Sequence, residues 1–207
     1  FSITKASSYK KSDITLEVQN DTLIRDAIVQ GFSIKSKLGN PSTILNASKA
    51  TNFIFSLNNF KGSYKEINEI KTRTKIKDRL LEIQNCSSII FSKISNEIFH
   101  SNLKLIDSQM DKFLSLILLK FYSSKLNKIK DLVEDLSEAY ILKNFNINKQ
   151  NLEVKIKRFL VAICLGMFPT KQWNSYNSSS GFIIVNNNGD IGCLHYINPE
   201  SFENYLY

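Results

Sequence analysis

The chain has 207 residues, 43% of them hydrophobic, enough for one large domain or a core with a helical insertion. Its 27 Lys and Arg against 19 Asp and Glu leave a formal charge of +8, which favours polyanionic partners such as nucleic acid. Cys86, Cys164 and Cys193 form no Cys-x-x-Cys pair, which argues against a zinc site and a disulfide framework and fits a reducing cytoplasm. The strongest apolar run, Phe113 to Leu119, is too short to span a bilayer, so no membrane partner is expected. The chain opens on Phe1 rather than Met and shows no signal peptide, so it reads as a fragment lacking both termini. The charge alone is weak support, because a Lys-, Asn- and Ile-rich bias with only four arginines would also give it.

Residues 1–62 read as an α/β core. Alternation predicts a strand over Asp13–Gln19, a connection over Asn20–Val29 and a second strand over Gln30–Ser36. A Gly39-Asn40-Pro41 turn follows, with Pro41 suited to a first helical position and a short helix predicted over Ser42–Ala50. Thr51–Leu57 is rich in strand formers, and strand–helix–strand order implies a crossover that sets it parallel to a neighbour in one sheet. Residues 63–168 read as helical throughout, from a first long helix near Tyr64 through Ile89–Phe99, Met110–Tyr122, Leu126–Leu142 and Val154–Gly166. Lys71, Arg73, Lys75, Lys77 and Arg79 make that first helix basic, which a solvated face explains as readily as phosphate contact. Residues 169–207 read as a β-hairpin and the start of a helix, with Gly181–Val185 and Ile191–Ile197 joined through Asn186-Asn-Asn-Gly189-Asp190.

The chemistry gathers at the first predicted hairpin. Phe32 and Ile34 share one face of their strand, expected to be the core face, while Ser33 and Lys35 share the polar one. Asp13, Thr15, Glu17 and Gln19 occupy the polar side of the other strand. Antiparallel pairing brings Asp13 near Lys35 at the open end. A carboxylate beside a lysine there is the layout of a Mg²⁺-dependent nuclease, the acid holding the metal and the lysine polarising water and phosphate. Asp21 and Asp26 compete for the metal role but lie in a connection, where Asp is common for turn reasons. Glu17 is the candidate second metal carboxylate, and an exposed strand residue is its alternative. Gln30 has the parity of Phe32, the wrong face for this site.

The segment GFSIKSKLG (Gly31–Gly39) followed by PSTILNASKATNF (Pro41–Phe53) resembles the HpaII-type restriction endonucleases. LGMFPTKQW (Leu165–Trp173), SGFIIVNNNGDIGCLHY (Ser180–Tyr196) and SFENYL (Ser201–Leu206) resemble the same family in the same order. That family belongs to the P-D…(D/E)-x-K nuclease class, and this chain departs from the pattern twice. Ser12 precedes Asp13 where the class has Pro, which matters little because only the carboxylate binds metal. Ser33 stands where the class has an acid, which leaves the second carboxylate unassigned.

The resemblance implies an α/β fold with a restriction-endonuclease-like mixed sheet core, a large helical region and the C-terminal hairpin. It implies Mg²⁺-dependent cleavage of double-stranded DNA at a short palindromic site, CCGG in the namesake, by a homodimer. Asp13, Ser33 and Lys35 are then the expected catalytic residues, Asp13 and Glu17 the metal ligands, and Lys37, Asn46 and Asn52 the DNA contacts. Asn reads adenine well, but it also caps helices and stabilises turns. Trp173 and His195 fit structural roles, and no Gly-rich phosphate loop is present. Two rivals stand beside this reading: a family member that binds DNA without cutting, and a non-enzymatic helical interaction module.

Overall fold

The computed structural model describes residues 12–18, 28–36, 38, 48–138, 145–176, 179–196 and 199–207. Six strands and seven helices lie among them, in a mixed α/β arrangement. The chain divides into two compact units, residues 1–46 with 157–207 and residues 47–156.

The first unit is built on a four-stranded mixed sheet of order β1-β2-β5-β6. β1 (Ile14–Val18) pairs antiparallel with β2 (Ile28–Ser36), with Ile14 opposite Phe32 and Val18 opposite Ile28. β5 (Gly181–Val185) then lies parallel to β2, with Ser33 opposite Phe182 and Lys35 opposite Ile184. β6 (Ile191–His195) returns antiparallel to β5 across the predicted Asn-Gly turn, where Gly189 takes a φ of +87°. Gly181 is needed for a different reason. A Cβ there would lie 2.0 Å from the Leu194 carbonyl oxygen, so β5 and β6 meet at a point only glycine fits. Ser179 fastens the entry to β5, its hydroxyl donating to the carbonyls of Gly31 and Gly181 at 3.1 Å.

One face of this sheet is covered. Phe182, Ile184 and Leu194 pack with Val161, Cys164 and Leu165 of α6 (Lys149–Leu165) and Phe202 of α7 (Pro199–Leu206). Phe182 and Phe202 stack with ring centroids 5.5 Å apart. Alternation assigns Ser33 and Lys35 to this same face, since they oppose Phe182 and Ile184. The expected in-and-out assignment of β2 is therefore reversed in part. Phe32 is buried as predicted, but Ile34, Ile14 and Leu16 on its side are 37–46% exposed, whereas Ser33 is 4% exposed. Binary pattern tells which residues share a face; it does not tell which face the helices cover.

The second unit holds a two-stranded antiparallel sheet of β3 (Phe53–Asn58) and β4 (Ser88–Ile94), packed with helices α1 to α5 and the first turns of α6. This corrects two expectations. β3 is not parallel to a neighbour in the first sheet, and Ile89–Ile94 is a strand rather than helix. The Ile-rich run fits either period, and pairing with the aromatic strand β3 decides it through the Phe53–Phe91 and Phe55–Phe91 contacts. The first long helix is likewise two, α1 (Tyr64–Glu69) and α2 (Lys75–Cys86), divided at the Ile70–Thr74 turn. Asn96 then caps α3 (Glu97–Ile106), its side chain accepting the Phe99 N–H at 2.8 Å. α4 (Met110–Ser123) and α5 (Ile129–Glu138) complete the core, where Leu103, Met110, Val133 and Ile156 are fully buried. Lys155 pairs with Asp107 and lies 5.7 Å from the Phe113 ring centroid, tying the start of α6 to this unit. Among the described residues no helix is long and apolar enough to cross a membrane, and Cys86, Cys164 and Cys193 form no disulfide.

Candidate active site

Asp13 stands one residue ahead of β1, and it enters the sheet through both backbone and side chain. Its N–H donates to the Phe32 carbonyl at 2.7 Å. Its carboxylate Oδ2 accepts the N–H of Ile34 at 2.6 Å, a short charge-assisted bond. The side chain takes the role a ladder carbonyl would have had, so the carboxylate lies against the β2 backbone between Ser33 and Lys35. Asp13 is exposed, and Oδ1 has no hydrogen-bond partner among the described residues.

Ser33 and Lys35 are set by the parallel ladder between β2 and β5, which fixes their register against Phe182 and Ile184. Ser33 is buried, and Lys35, two residues nearer the strand end, is half-buried. Among the described residues Lys35 makes no ion pair. A lysine on an apolar-backed strand that is not ion-paired to the exposed Asp13 carboxylate can receive an anionic group. Sequence reasoning proposed these residues as the site; it missed the Asp13–Ile34 bond, which no residue pattern signals.

The remaining predicted residues are less gathered. Glu17 pairs with Val29, and the register runs without a shift from Ile14 to Val18. Four residues along an unbroken strand separate its Cα from that of Asp13 by about 13 Å. Lys37, Asn46, Asp21 and Asp26 lie outside the described residues. Asn52 is exposed in the second unit, at the end of a 3₁₀ turn (Lys49–Thr51), and its carbonyl accepts the Ser95 N–H at 3.0 Å. Gln30 and His195 occupy the other face of the sheet and bond to each other at 2.9 Å, with the histidine ring edge-on to Phe32. Trp173 donates its indole N–H to the Tyr176 carbonyl at 3.0 Å, a loop-fixing role.

A divalent cation is the group this layout would have to hold. Among the described residues no three His, Cys, Asp or Glu side chains gather as a ligand set. Asp13 offers one hard, exposed carboxylate oxygen, and Mg²⁺ is commonly held by one or two carboxylates with water completing its shell. The donor set present fits a hydrated, weakly held cation rather than an all-protein cage.

The whole chain, residues 1–207, matches the HpaII restriction endonuclease family. It is similar to the Type II restriction enzyme HpaII of Haemophilus parainfluenzae, 41% identical over 212 residues that cover 100% of this chain and 58% of that enzyme. The chain thus spans less than two thirds of the length of the curated relative it matches. No solved structure matches it. A family match over the full chain, reinforced by 41% identity, settles kinship: the chain belongs to the HpaII restriction endonuclease family.

Proposed function

We propose that the protein hydrolyses phosphodiester bonds of duplex DNA at a short palindromic site, with Mg²⁺, through a restriction-endonuclease-like sheet. The observation that carries this reading is the Asp13 carboxylate on the Ile34 N–H, held between Ser33 and Lys35 at one end of the sheet. Family membership supplies the reaction class. Asp13 would hold the cation, with Glu17 the candidate for a second carboxylate. When bound, the cation would act as a Lewis acid on the scissile phosphate and lower the pKa of a water.

The protein's own groups have distinct tasks. Lys35 places a positive charge where the phosphate gathers negative charge in the transition state, and it orients the attacking water. Ser33 supports the strand beneath that lysine from a buried position. Asp13 keeps the strand end fixed through Ile34 while presenting its other oxygen outward. Lys37, Asn46 and Asn52 are the proposed DNA contacts, and a two-fold symmetric dimer would match a palindromic site.

The deciding experiment incubates the protein with a defined plasmid and Mg²⁺ and maps the cut ends. Discrete ends at one repeated short sequence support the reading. Intact plasmid across a range of divalent cations, with the protein folded, overturns it. Ser33 in place of an acid favours one second reading, a member that binds DNA without cutting; sequence-specific binding with no cleavage at any metal concentration would select it.

A further inference from the structure

The segment Lys71–Arg79 carries five basic residues against Asp78 alone, a net +4 in nine residues and half of the chain's formal +8. It forms the turn between α1 and α2 and the first turns of α2, all within the second unit. Its shape is fixed by groups that spend no exposed cation. The Asp78 carboxylate accepts both the Thr72 and the Thr74 hydroxyl, the latter at 3.0 Å. Those bonds, Thr72 first and Thr74 second, hold its carboxyl below the ordinary aspartate value and keep it ionised. From the other side, Arg79 Nη2 donates to the carbonyls of Asn68 and Ile70 at 2.8 and 2.9 Å, pinning the end of α1 to α2.

Lys71, Arg73 and Lys75 are left exposed on this fixed turn. Elsewhere in the same unit Lys120, Lys149 and Lys155 pair with Asp135, Glu134 and Asp107. Among the described residues Lys71, Arg73 and Lys75 make no such pair. Of the nearby acids, Glu66 and Glu82 line a cavity of about 430 Å³ with Gly62, Asn85 and Cys86, and Glu69 is exposed at the end of α1. A solvated charge run would need no such clamp beneath it. We propose that the α1–α2 turn is a second nucleic-acid contact surface, whose Lys71, Arg73 and Lys75 bind backbone phosphates of duplex DNA independently of sequence. The proposal rests on the nuclease reading for its partner but not on the residues of the active site.

The test uses the triple variant Lys71→Gln/Arg73→Gln/Lys75→Gln and a matched control, Lys125→Gln/Lys128→Gln/Lys130→Gln, which removes the same charge from other exposed positions. Affinity for a labelled duplex is measured without divalent cations across a salt series, alongside plasmid cleavage with Mg²⁺. Each phosphate contact contributes about 0.9 to the slope of log affinity against log salt, so the triple variant should lower that slope by about 2 to 3. Its affinity should fall roughly 10- to 100-fold at about 0.1 M salt, equally on cleavable and unrelated duplexes. An unchanged slope, or an equal fall in the control variant, overturns the inference even if the wild type cuts. Wild-type protein that binds with a steep salt slope lost in the triple variant, yet never cuts, upholds the inference and removes the nuclease reading. Unchanged circular dichroism and melting in both variants, expected for exposed side chains, separates these outcomes from misfolding.

Discussion

The two units solve the same packing problem differently. The second unit surrounds α4 with helices and β4, and Phe99, Leu103, Met110 and Phe113 in its core are at most 1% exposed. The sheet of the first unit is covered on the Phe182 face, while Ile14, Leu16 and Ile34 on the other side stay 37–46% exposed. Both units therefore bury an apolar core, and the candidate chemistry sits on the unit whose sheet keeps one face open. A dense core leaves little room to receive a ligand, whereas a strand end with a half-buried lysine and an exposed carboxylate can.

The sharpest way to break that contrast is through the reaction itself. Lys35→Ala should reduce plasmid cleavage about 1000-fold or more, roughly 4 kcal/mol of barrier, while DNA affinity changes only a few-fold. Asp13→Asn should be equally inactive, yet it should melt near wild type, because an amide oxygen can still accept the Ile34 N–H. Asp13→Ala loses that acceptor as well and should cost about 1 kcal/mol of stability on top of activity. Cleavage within a few-fold of wild type in Lys35→Ala would move the chemistry off this sheet.

A second pair of variants sharpens the stability side. Leu103→Ala in the second unit empties a fully buried site and should cost about 3 kcal/mol by denaturant unfolding. Leu16→Ala on the open face should cost less than about 1 kcal/mol, since 46% of that residue already meets solvent. Equal costs would show that the open face is covered in solution.

Much of this was legible from residues alone, and the failures share one cause. Gly189 with its asparagines announced the β5–β6 hairpin, and Gly166 with Pro169 announced the end of α6, because turn and cap chemistry is local. The α2 segment was found, but its separation from α1 was not, although the six-residue gap from Ile70 to Ile76 falls outside the three- and four-residue spacing on either side of it. β4 was lost to a helix because its partner β3 lay 30 residues away, and β3 was then given the wrong partner. The true crossover joins β2 to β5 almost 150 residues later, beyond the reach of any local pattern. Asp13, Ser33 and Lys35 were singled out by alternation. The face they share is packed against α6 and α7 through Phe182 and Ile184, and only tertiary structure could reveal that.

The smallest expected effect concerns the second carboxylate. Ser33 vacates the acid's usual position, and Glu17 is the candidate to fill it from β1. Its strand shows no register shift between Ile14 and Val18, so its Cα stays about 13 Å from that of Asp13. Two carboxylates on one small cation need their oxygens about 4 to 5 Å apart or less, and so large a backbone gap leaves both side chains stretched. Glu17→Gln should therefore weaken apparent Mg²⁺ affinity by less than about 3-fold, read from cleavage rate against Mg²⁺ concentration. A larger loss, above about 10-fold with an unchanged maximal rate, would mean that β1 bends when the cation binds. Glu17, opposite Val29, shares the face of Ser33 and Lys35, so such a bend would act on the site's own side of the sheet and leave the open face of Ile14, Leu16 and Ile34 unchanged.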